Sequence, residues 1–251
     1  MRFNIISSGS KGNATIVIYK KTVILIDMGI SFQRLEEGLK EMKLEPSDIT
    51  AAIFTHEHSD HISGIKFLSP SIRYALKGTL PGSLSHDVEL NKPFIIKDIT
   101  ITPFIISHDA NNPCGYLLEA GDETLVYMTD TGCFIEDNLS LIKNPTYLII
   151  ESNHDIKMLL NTNRTYQLKQ RILSDTGHLC NEDSAIAATQ IVGNNTKEII
   201  LAHLSEEANT PELALAAYVK IFKHFGLDID KYNVRCANQH HSLIGGNSNE
   251  D

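Results

Sequence analysis

The stretch Thr55-His56-Glu57-His58-Ser59-Asp60-His61 places three imidazoles and an aspartate within six residues. Buried histidine and aspartate carry a desolvation cost unless a partner satisfies them, and a metal ion would satisfy all four side chains at once. Residues 49–55 lead into the stretch as a predicted buried strand, and residues 62–68 follow it as the predicted start of a helix. The stretch therefore predicts a metal site at the junction of a strand and a helix.

The spacing of these candidate ligands allows a second ion beside the first. His56 and His58 point to the same side of an extended chain, because side chains alternate along a strand. Asp60 and His61 lie where the chain turns into the helix, and they can face a second ion beside the first. Imidazole nitrogens and carboxylate oxygens suit zinc, manganese or iron(II). The alternative is a solvated polar turn that is rich in histidine by chance, but it leaves the ligands supplied by later segments unexplained.

Potential ligands recur where other predicted strands end. In α/β proteins, binding sites collect where strands run out into loops, so residues that are distant in sequence can form one site. The strand ends that carry such a side chain are Asp27, His56, His108, Asp130, His154 and His203. A glycine follows two residues after Asp27 and again after Asp130, an arrangement that turn chemistry alone would also explain.

The hydrophobic pattern predicts an alternation of strands and helices. Strands are predicted over residues 2–7, 14–19, 22–27, 49–55, 99–108, 115–119, 123–129, 147–151, 198–202 and 232–237, the last being the final strand. Helices are predicted over residues 31–42 and 156–174, from a cap at Asn181 through residue 191, and from Thr210 to about residue 225. Residues 69–92 show no clear period and are interpreted either as a cover for the mouth of the site or as a surface excursion.

The composition indicates one large domain. With 251 residues and a hydrophobic fraction of 42%, a sizeable core can form, so residues 1–251 are predicted to be a single domain with a disordered tail over residues 245–251. The four cysteines are widely spaced, which favours a reduced, cytoplasmic setting. No run of about 18 apolar residues occurs, so no membrane contact is expected. A net charge of −9 argues against nucleic-acid binding by overall charge and requires local phosphate contacts.

The pattern of ligands resembles the metallo-β-lactamase superfamily. His56-x-His58-x-Asp60-His61 matches its signature without a gap, and the residues at its other motifs are Asp27, His108, Asp130 and His203. This resemblance implies an α/β fold, a four-layer αββα sandwich in which two mixed β-sheets are flanked by helices. It also implies that the metals lie at one edge of the paired sheets.

Further segments resemble one branch of that superfamily, the YycJ branch, which is also called WalJ or VicX. The segments are Ser7-Ser8-Gly9-Ser10-Lys11-Gly12-Asn13, Ser107-His108-Asp109-Ala110, Glu151-Ser152-Asn153-His154-Asp155, Gly177-His178-Leu179-Cys180-Asn181-Glu182-Asp183-Ser184 and Leu201-Ala202-His203-Leu204-Ser205. Members of this branch are bacterial, are often encoded beside a two-component regulatory system, and are regarded as DNA exonucleases that act from the 5′ end. The branch carries serine where this chain has Cys180, which weakens any catalytic role for that side chain but leaves His178 untouched.

The resemblance implies two divalent transition-metal ions, zinc or manganese, with iron also possible. It gives His56, His58 and His108 to the first ion, Asp60, His61 and His203 to the second, and Asp130 to both as a bridge. Such a pair lowers the pKa of bound water to about 7 and clamps the attacking and leaving oxygens of a displacement at phosphorus. A metal-bound hydroxide would then attack the phosphorus atom.

Asp60 and His178 are the catalytic candidates. His178 resembles the histidine that precedes the last metal ligand in the ribonuclease and DNA-processing branches, where it could protonate the leaving oxygen or neutralise phosphoryl charge. The competing interpretation of His178 is a surface histidine near a helix start. Asp27 is expected to orient a ligand, and His154 either to orient the metal ligands or to hydrogen-bond the substrate.

Candidates for substrate contacts are few. Residues 8–13 form a glycine-rich loop that could present amides to an anion or could be an ordinary hairpin loop. The candidates are Lys11, Asn13, Arg164, Lys169 and Arg171. Isolated basic residues are more often merely solvated, and phosphate contacts are the reason to consider these.

The leading hypothesis is a binuclear phosphodiesterase that acts on nucleic acid, with DNA favoured over RNA and a 5′→3′ exonuclease as the expected activity. One alternative is a hydrolase of a small ester, thioester or lactam on the same fold. The other is a non-catalytic metal-binding regulator. The complete ligand set and His178 favour the phosphodiesterase, and a link to a two-component regulatory system is expected from the family resemblance alone.

Overall fold

The computed structural model describes residues 1–80 and 85–247. Within these residues the chain forms two mixed sheets of seven strands each. The first sheet contains β1 (Arg2–Ser7), β2 (Ala14–Tyr19), β3 (Thr22–Ile26), β4 (Ala51–Phe54), β5 (Arg73–Leu76), β6 (His86–Val88) and β14 (Leu243–Gly246). Their order across the sheet is β14-β1-β2-β3-β4-β5-β6. From β3 to β6 neighbouring strands are parallel.

The second sheet repeats this plan with later segments. It contains β7 (Phe94–Ile96), β8 (Ile99–Ile105), β9 (Cys114–Ala120), β10 (Glu123–Met128), β11 (Tyr147–Glu151), β12 (Glu198–Ala202) and β13 (Asn233–Cys236). Their order is β13-β12-β11-β10-β9-β8-β7. From β10 to β13 neighbouring strands are parallel, so their carboxyl ends lie along one edge.

The helices begin at polar caps. They are α1 (Phe32–Glu41), α2 (Ser59–Ile62), α3 (Leu139–Ile142), α4 (Ile156–Asn161), α5 (Tyr166–Ile172), α6 (Asn181–Ile191) and α7 (Pro211–His224). The Ser31 hydroxyl accepts the Arg34 amide at the start of α1, and the predicted Thr210 cap accepts the Leu213 amide at the start of α7. No helix in the described ranges is both long and apolar enough to cross a bilayer.

The alternation of side chains along the strands builds four layers. In β3, Ile24 and Ile26 pack into the core between the sheets, whereas Leu25 packs outward with residues of α1. In β11 of the second sheet, Ile149 packs into the core between the two sheets, whereas Leu148 packs outward against α6 and α7. Because both faces of each sheet are buried, the central strands are predominantly apolar. The expected αββα sandwich is confirmed.

The structure corrects several predicted elements. The segment without a clear period contains β5 and β6, and β7 follows it directly. β5 escaped prediction because it opens with Arg73, a charged residue that is nevertheless buried and donates from Nε to the Leu68 carbonyl at 3.1 Å. The helix expected from residue 62 starts earlier, as the short α2, and is followed by a 3-10 turn over Ile65–Phe67. The helix expected over 156–174 is two helices, because the Thr165 hydroxyl caps a new start.

Two further predictions, one about the end of the chain and one about the start of α6, were wrong. The predicted final strand is followed by β14, in which Gly245 and Gly246 pair with β1, so these residues are not a disordered tail. Residues 248–251 of that predicted tail lie outside the described residues. The cap of α6 is Cys180 rather than Asn181, because its Sγ accepts the Asp183 amide at 3.4 Å. Burial raises the pKa of this thiol to about 12, which fits a packing role better than a reactive one.

Candidate metal centre

The candidate site lies where the carboxyl ends of the central strands of both sheets meet. Asp27 and the histidine-rich stretch follow β3 and β4 of the first sheet, whereas His108, Asp130 and His203 follow β8, β10 and β12 of the second. These residues are distant in sequence, from Asp27 to His203, and the parallel order of the strands brings them to the same edge.

Three of these residues have an unusual backbone. Asp27, Asp130 and His203 have φ values of +59°, +57° and +54°, in the left-handed region that costs a non-glycine residue about 1–3 kcal/mol. Each of them directly follows or nearly follows a buried strand, and each is itself buried. Strain of this kind collects where side chains must be aimed at a functional centre.

Glycines in the two Asp-x-Gly turns allow the ligand segments to approach. A Cβ on Gly29 would lie 1.6 Å from the carbonyl oxygen of Asp60. A Cβ on Gly132 would lie 2.5 Å from the amide nitrogen of Gly177. Only glycine leaves room at such distances. The turn after Asp27 thus fits the backbone of Asp60, and the turn after Asp130 fits the segment that carries His178.

The first ligand group consists of His56, His58 and His108, whose ligand atoms lie within 4.8 Å of one another. His58 Nδ1 faces His108 Nε2 at 3.2 Å, and the buried His56 Nε2 has no hydrogen-bond partner among the described residues. The other ring nitrogens contact neutral groups: His56 Nδ1 lies 3.0 Å from Thr55 Oγ1, and His108 Nδ1 lies 3.2 Å from the Gly177 carbonyl.

The second ligand group consists of Asp60, His61 and His203, again within 4.8 Å of one another. His61 Nε2 and His203 Nε2 lie 3.6 Å and 3.8 Å from Asp60 Oδ2. Behind the group, His61 Nδ1 donates to Asp27 Oδ2 at 2.8 Å, and His203 Nδ1 donates to Glu151 Oε1 at 3.0 Å. Asp27 thus contacts a candidate ligand of the second group, and its orienting role stays a prediction.

Asp130 lies between the two groups. Its Oδ2 is 3.3 Å from His61 Nε2, and its Oδ1 is 3.4 Å from His203 Nε2 and 4.0 Å from His108 Nε2. The side chain is buried, and Oδ2 has no hydrogen-bond partner in the described part of the chain. A carboxylate in this position can contact an ion in either group.

The donor set fits divalent cations. A buried polar atom without a hydrogen bond costs about 1–3 kcal/mol, yet three such atoms lie at this centre among the described residues: His56 Nε2, Asp130 Oδ2 and His203 Nε2. Nitrogen and carboxylate donors are those that zinc, manganese and iron accept in proteins. The negative charge available comes from four carboxylates: Asp27, Asp60, Asp130 and Glu151.

The electrostatics of the centre also favour positive charge. Burial lowers the pKa of His61, but Asp130 and Asp27 outweigh it and raise that pKa to about 10. The pKa of His203 is raised well above its usual range, because Asp130 outweighs burial in the same way. Burial and the neighbouring His61 lower the pKa of His56. His61 and His203, the second-group imidazoles beside Asp130, are therefore those that hold protons in the metal-free protein.

Glu151 is a site residue that the sequence-based assignment missed. Its buried Oε1 accepts from His178 Nδ1 at 2.8 Å as well as from His203, and its Oε2 accepts the amides of Thr131 at 2.9 Å and Leu179 at 3.2 Å. Burial opposes ionisation, but His178 and the hydrogen bonds lower the pKa of this carboxyl to about 2. The sequence did offer one signal for Glu151, since it is a carboxylate at the last position of an otherwise apolar strand.

His178 lies within the site. Its ring centroid is 5.2 Å from those of His108 and His203, and its side chain is 17% exposed. It borders a cavity of about 550 Å³ that the candidate ligands Asp60, Asp130 and His203 also line. This placement contrasts with the interpretation of His178 as a surface histidine.

Two of the proposed substrate contacts line this cavity. Arg164 Nε is paired with Glu207 at 3.0 Å, and Arg171 Nη2 is paired with Asp109 at 2.9 Å. Both guanidinium groups already have carboxylate partners, so a phosphate would have to compete with these carboxylates.

The other proposed contacts do not lie among the described lining residues of the cavity. Lys11 Nζ is paired with Glu206 at 2.6 Å, and Lys169 Nζ donates to the Leu160 carbonyl at 2.6 Å. Asn13 is buried, and its Nδ2 lies 3.0 Å from Nε2 of His61, a candidate metal ligand.

His154 is also buried, away from the cavity lining. Its Nδ1 lies 3.3 Å from Asn153 Oδ1, and Asn153 donates from Nδ2 to the His203 carbonyl at 2.9 Å. Burial lowers the pKa of His154 to about 4. Of its two proposed roles, the orienting one agrees better with this position than a direct hydrogen bond to substrate.

Comparisons with known proteins agree with this geometry. Residues 22–204 match the family model described as a beta-lactamase superfamily domain. The chain is 37% identical over 228 residues to exodeoxyribonuclease WalJ of Streptococcus pneumoniae serotype 2, covering 85% of each chain. It is 33% identical over 243 residues to exodeoxyribonuclease YycJ of Bacillus anthracis, covering 91% of this chain and 92% of the relative.

Solved structures show the same fold at low sequence identity. The metallo-beta-lactamase fold protein YhfI of Bacillus subtilis superimposes with a TM-score of 0.72 at 15% identity, covering 97% of this chain and 99% of that one. Human tRNase Z, short form, superimposes with a TM-score of 0.64 at 14% identity. Sequence and fold together show that the chain belongs to the metallo-β-lactamase superfamily, in the branch that contains the WalJ and YycJ proteins.

Proposed function

We propose that the protein is a binuclear, metal-dependent exodeoxyribonuclease that hydrolyses phosphodiester bonds from the 5′ end of a DNA strand. One observation carries the proposal: two adjoining groups of candidate ligands, with Asp130 between them, open into a cavity that also contains His178 and two arginines. The relatives at 33% and 37% identity are both named exodeoxyribonucleases, which supports DNA as the substrate.

In this proposal, the first ligand group and the second ligand group would each hold one ion, with Asp130 shared. Two divalent ions, zinc or manganese or alternatively iron, would polarise the phosphoryl oxygens and make water more acidic. The carboxylate donors allow either metal, since hard oxygen ligands suit manganese and imidazoles suit zinc.

The chain's own residues would place the substrate and move protons. Asp60 lines the cavity, and the hydrogen bond to His203 outweighs burial and lowers its pKa, so it is ionised and able to accept a proton from water. His178, held by Glu151, would donate a proton to the departing oxygen or stabilise phosphoryl charge. Arg164 and Arg171 would bind phosphates of adjacent nucleotides after exchanging their carboxylate partners.

The test is a nuclease assay on end-labelled single- and double-stranded DNA and RNA, with metal added back to chelated protein. We expect metal-dependent release of mononucleotides from the 5′ end of DNA and little action on RNA. Release from the 3′ end would overturn the direction. Hydrolysis of a thioester or chromogenic lactam without nuclease activity would favour an acyl hydrolase, and inactivity with both ions bound would favour a metal-binding regulator.

We place this activity in the cytoplasm, where chromosomal DNA and a reducing environment coincide with four free cysteines. A functional link to a two-component regulatory system is part of the proposal and rests on family resemblance. Deletion of the gene should then alter a response controlled by such a system, and a deletion strain with unchanged responses would remove the link.

A further inference from the structure

The two ligand groups differ in what lies behind their imidazoles. From this difference we infer that the two metal positions have unequal affinities, and that the second ligand group takes up the first ion. The inference rests on the proposed binuclear centre, and it concerns the order of loading rather than the reaction.

Buried carboxylates support the second group directly. His61 donates to Asp27 at 2.8 Å, and His203 donates to Glu151 at 3.0 Å. The side chains of Asp27 and Glu151 are fully buried, at 0% exposure. An imidazole that donates to a carboxylate is a more basic and better oriented ligand, and loss of such a partner typically costs about 10- to 100-fold in metal affinity.

The first group is supported by neutral partners. His108 Nδ1 faces the Gly177 carbonyl and His56 Nδ1 faces the Thr55 hydroxyl. Thr55 Oγ1 in turn donates to Asp27 at 2.9 Å, so the carboxylate acts on His56 only through a hydroxyl.

The ligands themselves add to the asymmetry. Asp60 belongs to the second group alone, and the shared Asp130 lies 3.3 Å and 3.4 Å from the ligand nitrogens of that group but 4.0 Å from His108 Nε2. Asp109 does approach the first group, at 3.6 Å from His108 Nε2, but its charge is compensated by Arg171. The local field therefore attracts a cation more strongly at the second group.

Ligand type gives the opposite expectation, which makes the inference testable. Three imidazoles with a shared carboxylate would supply the four donors that a zinc ion takes, at the first group. If ligand type alone decided affinity, that group would fill first. The structure separates these two effects, because charge lies behind one group and neutral partners lie behind the other.

The experiment is a calorimetric titration of chelated protein with Co²⁺, followed in parallel by the visible absorption of the bound ion. We expect two binding events. His58→Ala should remove the weaker event and leave the tighter one unchanged. Glu151→Gln should weaken the tighter event by about 10- to 100-fold. Asp109→Asn is the matched control, since it removes a carboxylate beside the first group and should leave the tighter event unchanged.

Asp27→Asn provides a second variant if Glu151→Gln does not fold by circular dichroism, since asparagine tolerates the left-handed backbone at this position. Loss of the tighter event in His58→Ala, or its persistence in the carboxylate variants, would overturn the inference. A single binding event in the wild type would overturn it as well. The titration uses no DNA, so two ordered events without nuclease activity would contradict only the proposed function.

Discussion

The carboxylate of Glu151 lies 2.8 Å from Nδ1 of His178. Because an ionised carboxylate can only accept, His178 donates from Nδ1, which fixes the orientation of the ring and leaves Nε2 for the proton exchange proposed above. The same oxygen of Glu151 accepts from His203. One buried group thus holds both a proposed metal ligand and a proposed proton donor.

His178→Ala should lower turnover on DNA by roughly 10²- to 10⁴-fold, the range for losing a positioned acid or electrostatic donor. Metal content and folding should stay close to wild type, since His178 is not among the proposed ligands. The loss should shrink on a p-nitrophenyl phosphodiester, whose leaving group needs no proton. Turnover of both substrates by both proteins, with metal measured in each, makes the comparison.

His58→Ala is the control for a ligand. Its activity should fall together with bound metal and should partly return with excess metal, whereas the loss in His178→Ala should not respond. Equal losses of His178→Ala on both substrates would remove the acid role and leave charge stabilisation or positioning.

Asp130→Asn should reduce occupancy of both metal positions together, because its two oxygens approach ligands of both groups. Asparagine keeps a side chain that tolerates the positive φ of this residue, so the change reports mainly on lost charge. Elemental analysis of the dialysed protein measures the outcome. One ion retained at full affinity while the other is lost would mean that Asp130 does not bridge.

The affinity of the second ligand group for a metal ion should rise with pH up to about pH 10. In the metal-free protein His61 has a pKa of about 10, because Asp130 and Asp27 outweigh the opposing effect of burial. Below that pH an ion that binds the second ligand group must displace this proton, so that binding event releases protons and weakens as pH falls. Titrations in buffers of different ionisation enthalpy count the protons released. Affinity that is constant between pH 7 and 9 would contradict the prediction.

Arg171→Gln should weaken DNA binding without loss of bound metal. Removal of one phosphate contact should raise KM, with a smaller effect on kcat. The slope of log KM against log salt concentration should become shallower by about one. Lys11→Gln is the matched control, because that lysine is exposed and paired with Glu206 outside the cavity. Kinetics at several salt concentrations separate the two variants. Equal effects of both substitutions would show that the salt dependence reflects overall charge.

The positions of the candidate ligands were predictable because strand periodicity and family resemblance both place them where strands end. Glu151 was harder to assign, since as the last residue of an apolar strand it could equally belong to a turn. Its role depends on His178 and His203, which are distant in sequence. The ion pair of Lys11 was equally hidden from the sequence, because its partner Glu206 is nearly two hundred positions away and only the fold pairs them.

The fold was predictable in its long, apolar strands and less so at its edges. β5, β6 and β7 have only three or four residues each, too few to establish a period. β14 contains Gly245 and Gly246, which local propensity assigns to a turn or tail. Pairing with β1 overrides that preference.

Each ligand group draws residues from both sheets. His56 follows a strand of the first sheet and His108 a strand of the second, and the same division separates His61 from His203. An ion in either position would therefore act as a cross-link between the halves of the sandwich, much as a disulfide joins distant segments. Any sliding of one sheet over the other would separate the ligands of both ions at once. The packing between the sheets and the spacing of the ions would then form one mechanical unit, so a core substitution far from the cavity could change the distance between the metals.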